Sequence, residues 1–317
     1  MKFTIQIENS KRLDEALKSN CQRIRFGPEF CEWKLPNMDM LKKTYTLTKK
    51  TEKEFCYVTP HTSNQVLEKI RKQLKFIDEK GGATVIVNDL GVLNIVEQFP
   101  NLKPHMGRQL VTNLARCPWK ELINPQAGNE ERRRISKTIY QTSLNCGTTI
   151  QFFKEHGIEG ADVDWIPECF KHYGSIKDYG IDLSIYLQMI PVSVTRRCHM
   201  ARFLGYENPE KCPKPCLEMA LTLDQPVLGM ELLLHGNTIF RLVQPTKSDI
   251  RKVYEIGIEE LVIPINPILN FGNHEEIDGF IEEFKASADR KFSDILSGLL
   301  SRSHPVQAKS SRLEIIE

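Results

Sequence analysis

Short runs of β-branched and aromatic residues recur along this chain, at 3–7, 23–26, 55–59, 84–88, 102–105, 162–166, 182–187 with 191–194, and 260–264. Such residues suit a pleated strand, and several of the runs are separated by stretches with the period of a helix. At 64–79, Val66, Ile70, Leu74 and Ile77 recur at spacings of four, four and three, which lines up one helix face, and Gly81-Gly82 ends the pattern. A helix over 90–98 follows a strand directly, with Asp89 placed to cap it, and another over 250–257 stops at a glycine. Strand, helix, strand repeated in this order predicts a parallel α/β sheet. About eight strands in ~250–300 residues predict a closed (β/α)8 barrel of the TIM type. A doubly wound sheet is the alternative, but no glycine-rich dinucleotide turn follows the first run.

Two segments break the alternation. Residues 116–158 contain the charged run 130–134 and then a helical stretch, which reads as a helical insertion after the fifth strand. Residues 195–245 hold a cysteine-rich segment and two apolar runs, 227–234 and 238–243, joined through His235-Gly236-Asn237. A Gly-Asn turn between such runs predicts a small β-hairpin. The barrel-like domain is expected to cover 1–302, with 303–317 as a flexible tail. Among the 317 residues, 43 Lys and Arg stand against 41 Asp and Glu, for a net charge of +2. No global basic field therefore argues for nucleic acid, which only local patches such as 196–202 would hold. With 40% hydrophobic residues the chain is not a disordered one. No run approaches the ~20 apolar residues of a membrane span, and residues 1–8 alternate where a signal peptide would be continuously apolar. The expectation is a cytoplasmic protein with no membrane span.

The nine cysteines are an odd number in such a chain, which favours metal binding or buried thiols over disulfides. Three of them fall together as Cys198-x13-Cys212-x3-Cys216. The Cys-x3-Cys pair can place two thiolates on one metal, and Pro213 and Pro215 stiffen the connection. Arg196, Arg197, Arg202, Lys211 and Lys214 surround the three, and cations favour thiolates and offset a cluster's negative charge. Zinc also binds four cysteines at such spacings, so iron–sulfur and zinc both remain open. Spacing alone leaves the fourth ligand open among Cys21, Cys31, Cys56, Cys117, Cys146 and Cys169. In a parallel barrel, loops that follow strands share the C-terminal face, so Cys31 and Cys198 are expected on one side, with Cys56 inside a strand.

Other residues carry weaker signals. Glu168 follows a strand and has the chemistry of a general acid or base, with a solvated carboxylate as its plain alternative. Asp89 is a helix cap or a substrate contact; Arg108, His105 and Asn113 lie after a strand, where an anionic substrate would be held. His199 and His235 are not needed by a site with four thiolates. The sequence contains no Gly-x-Ser-x-Gly elbow, Walker A loop or His-Glu-x-x-His pair.

Several motifs together resemble the peptidase U32 family, and within it the oxygen-independent ubiquinone-biosynthesis branch. They are Asn-Asp-Leu-Gly-Val-Leu-Asn at 88–94, Gly-Arg-Gln-Leu-Val-Thr-Asn at 107–113, Trp165-Ile166-Pro167-Glu168, the segment 191–216, and Cys31 in Gly-Pro-Glu-Phe-Cys. Gln188, Met189 and Ile190 stand where the peptidase type carries a His-Gly pair and a cysteine, which turns the expectation away from proteolysis. The resemblance implies a 4Fe–4S cluster on Cys31, Cys198, Cys212 and Cys216, with Glu168 catalytic and Asp89, Arg108 and Asn113 binding substrate. It implies a component of a hydroxylation system acting on a small molecule (a quinone precursor) or an RNA base, paired with a sister U32-family subunit as a heterodimer. The alternatives are a U32-type peptidase and a non-catalytic subunit stabilised by metal.

Overall fold

The computed structural model describes residues 1–119, 128–227, 229–266, 271 and 273–288. The expected tail at 303–317 and part of the expected insertion, 120–127, lie outside the described residues. Eight parallel strands close into a ring: β1 (Lys2–Ile7), β2 (Arg23–Phe26), β3 (Glu54–Val58), β4 (Ala83–Val87), β5 (Leu102–Met106), β6 (Gly160–Asp164), β7 (Asp182–Tyr186) and β12 (Glu260–Ile265). β1 pairs with both β2 and β12, which completes the barrel. The fold is the (β/α)8 barrel that the alternation of patterns predicts.

Alternate residues of each strand explain the packing. Phe3, Ile5 and Ile7 turn outward and are buried under the helices; the Phe3 ring meets Phe284 edge-on at 5.8 Å, from the helix His274–Ala288. Val66, Ile70, Leu74 and Ile77 of the helix Asn64–Glu79 are all buried, as their spacing requires. Burial of each such side chain contributes about 1.5–3 kcal/mol. The helix after β4 runs Leu90–Val96 and is capped by Asp89, whose Oδ1 accepts the Gly91 N–H at 2.7 Å.

The inward face differs from the branched aliphatic filling usual in such barrels. Arg25 of β2 reaches Asp162 of β6 at 2.8 Å and Glu260 of β12 at 2.5 Å. His105 of β5 meets the same Asp162 at 2.9 Å, and the Tyr186 hydroxyl of β7 donates to Gln6 of β1 at 2.6 Å. β2 and β6 are not neighbours in the ring, so the Arg25–Asp162 bond crosses the barrel's interior. Cys56 also points inward, packed with Val58 and Ile86.

A second sheet, in the order β8–β11–β10–β9, caps the C-terminal mouth: β8 (Met189–Val194), β9 (Leu221–Gln225), β10 (Met230–His235) and β11 (Thr238–Leu242). The expected hairpin is its β10–β11 pair, turning through Gly236-Asn237, but β8 and β9 extend it to four antiparallel strands. The run 182–194 is not one strand. It breaks at Gln188, whose φ of 61° turns the chain out of the barrel and into the lid. Phe30, Met189, Leu233 and Phe240 form the seam between lid and barrel, the rings of Phe30 and Phe240 meeting at 5.4 Å. In the expected insertion, the described residues form helices Asn129–Ile139 and Gly147–Glu155. Among the described residues no helix is long and apolar enough to cross a membrane.

Candidate metal centre and adjoining cleft

The loop after β2 sets the position of Cys31. Gly27 sits at a φ of 130°, and a Cβ there would lie 2.2 Å from the Val58 carbonyl oxygen, so only glycine lets the chain pass over β3. Two residues on, Glu29 accepts a two-pronged ion pair from Arg108 at 2.6 and 3.0 Å. Cys31 then stands half-buried at the rim, and the Lys34 N–H donates to its carbonyl at 3.1 Å.

The lid segment delivers the other three cysteines. Cys198 caps the helix His199–Phe203, its sulfur accepting the Ala201 N–H at 3.3 Å. The Cys212 sulfur accepts the Lys214 N–H at 3.4 Å, with Lys214 held at a φ of 62° between two prolines. Cys216 is buried beneath the Gly236-Asn237 turn, and its carbonyl oxygen is bonded by His235 Nε2. A Cβ on Gly236 would lie 3.4 Å from the Cys216 sulfur, so the glycine leaves open space beside that thiol.

Three of these thiols, those of Cys31, Cys198 and Cys216, act on one another electrostatically, and Cys212 acts on Cys198. Burial is the main cause that pushes up the thiols of Cys31, Cys198 and Cys216. Cys31 also feels Cys198, Cys198 feels Cys216 and Cys212, and Cys216 feels Cys31. Among the described residues, no three His, Cys, Asp or Glu side chains gather as a ready site for a metal ion. Lys34 is buried against them with its Nζ 2.7 Å from Glu8 Oε2. Burial pulls its ammonium toward neutrality, but Glu8, then Cys216, outweigh this and keep it charged. Burial, reinforced by the Lys34 charge, lowers His235 to about 4 and keeps it neutral. None of the nine cysteines is in a disulfide, and Cys21, Cys56 and Cys169 are buried within the barrel domain.

A cleft of about 420 Å³ opens beside this group, lined by Cys31, Cys198, Trp33, His61, Arg196 and Asn237. Asp89 shapes its wall: its Oδ2 lies 2.9 Å from His61 Nδ1, and His61 Nε2 faces the Arg196 guanidinium at 2.9 Å. An arginine only donates, so in that contact His61 Nε2 is the acceptor. On the far side of Cys198 a second cleft, of about 490 Å³, is lined by Arg197, Arg202 and Tyr206.

The remaining sequence-derived candidates lie elsewhere. Arg108 is 1% exposed, held by Glu29, Asp164 and the Met189 carbonyl, with its guanidinium stacked 3.9 Å from the Tyr186 ring centre. Asn113 is buried; its side chain caps a short turn and bonds the Tyr173 hydroxyl at 3.4 Å. Glu168 is exposed in the turn after β6, and His199 is exposed next to Cys198. Sequence reasoning missed Glu8, Lys34, His61 and the polar interior. The interior did leave a signal, because Arg23-Ile24-Arg25-Phe26 and Asp162-Val163-Asp164 alternate with period two where a strand buried on both faces is ordinarily apolar throughout.

No family model matches the chain, and no curated protein matches it. Among solved structures, a U32 peptidase aligns at 11% identity, covering 84% of this chain and 93% of that one, with a TM-score of 0.43. Orotidine 5'-phosphate decarboxylase from Pyrococcus horikoshii OT3 aligns at 9% identity, covering 90% and 98%, with a TM-score of 0.44. Dihydropteroate synthase from Anaplasma phagocytophilum gives 10%, 90%, 98% and 0.44. These are likenesses of one barrel to others, a U32 peptidase among them.

Proposed function

We propose that this chain is an iron–sulfur protein whose Cys31, Cys198, Cys212 and Cys216 hold a 4Fe–4S cluster. It would act as one component of an oxygen-independent hydroxylation system, similar to the ubiquinone-biosynthesis protein UbiV. The observation that carries the reading is that Cys31 of the β2 loop and Cys198 and Cys216 of the lid act on one another electrostatically, with Cys212 acting on Cys198. The residues fit such a group in other respects. Gly236 leaves space beside Cys216, backbone N–H groups already point at the sulfurs of 198 and 212, and a buried ammonium stands by. A single zinc ion needs its ligands gathered ~2.3 Å from one point, whereas a cluster spreads them over several irons. When bound, the cluster supplies one-electron transfer.

In this reading the substrate, a quinone precursor or an RNA base, reaches the cysteines through the cleft at His61 and Arg196. A sister U32-family subunit completes a heterodimer. Anaerobic purification then yields a brown protein with about four irons per chain, and C198S or C216S loses both colour and iron. A colourless preparation that stays metal-free after reconstitution overturns the proposal.

One observation favours a second reading, a non-catalytic partner subunit stabilised by metal. The lid leaves a void of only about 20 Å³ at the barrel mouth, between Glu29, Arg108, Met189 and Phe240, where barrel enzymes usually work. Zinc without iron in the purified chain decides for it. A peptidase finds less support, since His61 Nε2 is met by Arg196 and not by a nucleophile.

A further inference from the structure

We propose that Lys34 and Glu8 together set the reduction potential of the centre held by the four cysteines, the ammonium raising it and the carboxylate lowering it. This rests on the cluster reading above. Lys34 lies three residues beyond Cys31, at the end of the short turn Glu32–Lys34 that Cys31 precedes. Its side chain is 4% exposed. Its Nζ lies 3.9 Å from the point where a Gly236 Cβ would stand, and the Cys216 sulfur lies 3.4 Å from the same point. Ammonium and thiol thus border one small space under the turn of the lid.

An ammonium carries three donors. Glu8, just past the end of β1, accepts one of them at 2.7 Å, and it is the oxygen partner that Lys34 Nζ finds among the described residues. The other charges acting on Lys34 are those of Cys216 and Cys31. His235 also stands beside this space, its Nε2 bonded to the Cys216 carbonyl oxygen. Lys34 and Glu8 act on the sulfurs of Cys31 and Cys216 with opposite signs, the ammonium more strongly on both. An added electron on a cluster there is stabilised by the near ammonium and opposed by the carboxylate, and burial leaves both effects largely unscreened. Charge placement and burial around the sulfurs are among the levers by which a protein sets such a potential.

The test uses the full chain, reconstituted anaerobically with iron and sulfide, and titrated with dithionite through redox mediators. The electron paramagnetic resonance signal of the reduced cluster is followed, with iron counted on the same samples. At the potential where the unaltered chain is half reduced, K34M should show at least a tenfold lower ratio of reduced to oxidised cluster, 59 mV for one electron. E8Q should shift the other way, and K34R should stay near the parent value. Variants that bind the same iron but keep the parent potential, or that both move in one direction, overturn the inference while leaving the cluster reading intact. A parent chain without iron overturns both. If K34M fails to fold, the direction of the E8Q shift decides alone.

Discussion

Arg25 and Asp162 meet inside the barrel, guanidinium to carboxylate at 2.8 Å, from strands on different sides of the ring. Both side chains are at most 1% exposed, and Glu260 takes the second guanidinium nitrogen. Two buried carboxylates thus share one buried cation, with Arg23 also 3.1 Å from Glu260 and His105 2.9 Å from Asp162.

Removing that cation leaves Asp162 with His105 and Glu260 with Arg23, and stripping a buried ion pair of one partner costs about 3–5 kcal/mol, whereas replacing a whole buried ionic group is often neutral. R25M is therefore expected to lose about 3–5 kcal/mol in urea unfolding. The triple variant R25M/D162N/E260Q should recover most of that loss. A loss below about 1 kcal/mol in R25M would show that the network adds little.

Acid should expose the same network. Burial works to raise the carboxyls of Asp162 and Glu260, but Arg25 outweighs it, and both end below their ordinary values. Folded-state values below the unfolded ones, near 3.9 and 4.3, give stability that is fully present above about pH 5 and lost as pH falls through the folded values. Urea midpoints should be level from pH 7 to 5 and then drop. In R25M the drop should be shallower, and an equal slope in the two proteins would contradict the assignment.

The thiols should separate by reactivity. Burial pushes Cys56 up to about 12, while the exposed Cys146 is lowered by hydrogen bonds from Thr148. The thiolate is the reacting form. Iodoacetamide near neutral pH is expected to label Cys146 first and to leave Cys56 untouched until the chain is denatured, as peptide mass spectrometry would read.

Two glycines should be intolerant for different reasons. G27A drives a methyl group into the Val58 carbonyl and should sharply reduce folded yield. G236A meets only ordinary contact at 3.4 Å but sits at a φ of 66°, so a loss of about 1 kcal/mol is expected, together with weaker iron retention. Iron retention equal to the parent's in a folded G236A would separate this turn from the metal centre.

The barrel was legible because each strand and helix carries its own period, as Val66, Ile70, Leu74 and Ile77 show. The lid was only half legible. Its β9, Leu-Thr-Leu-Asp-Gln, is short and partly polar, and the break between β7 and β8 falls at Gln188, a residue not ordinarily left-handed. The cysteine spacing drew attention to the right segment, but Lys34 meets Glu8 across 26 positions and nothing local announces the pair. Arg108 looked like a ligand-binding residue by its place after a strand. Its neighbours Glu29 and Asp164 come from other strands' ends, and no reading of one segment contains them.

The partners of Arg25 lie 137 and 235 positions further along the chain. During synthesis the arginine is made 235 residues before the glutamate that completes its neutralisation. Until then the ring lacks both its closing strand and the means to seal a charge away from water. A prematurely terminated product would therefore be an open sheet with a solvated arginine, a natural target for quality control, and not a smaller working barrel.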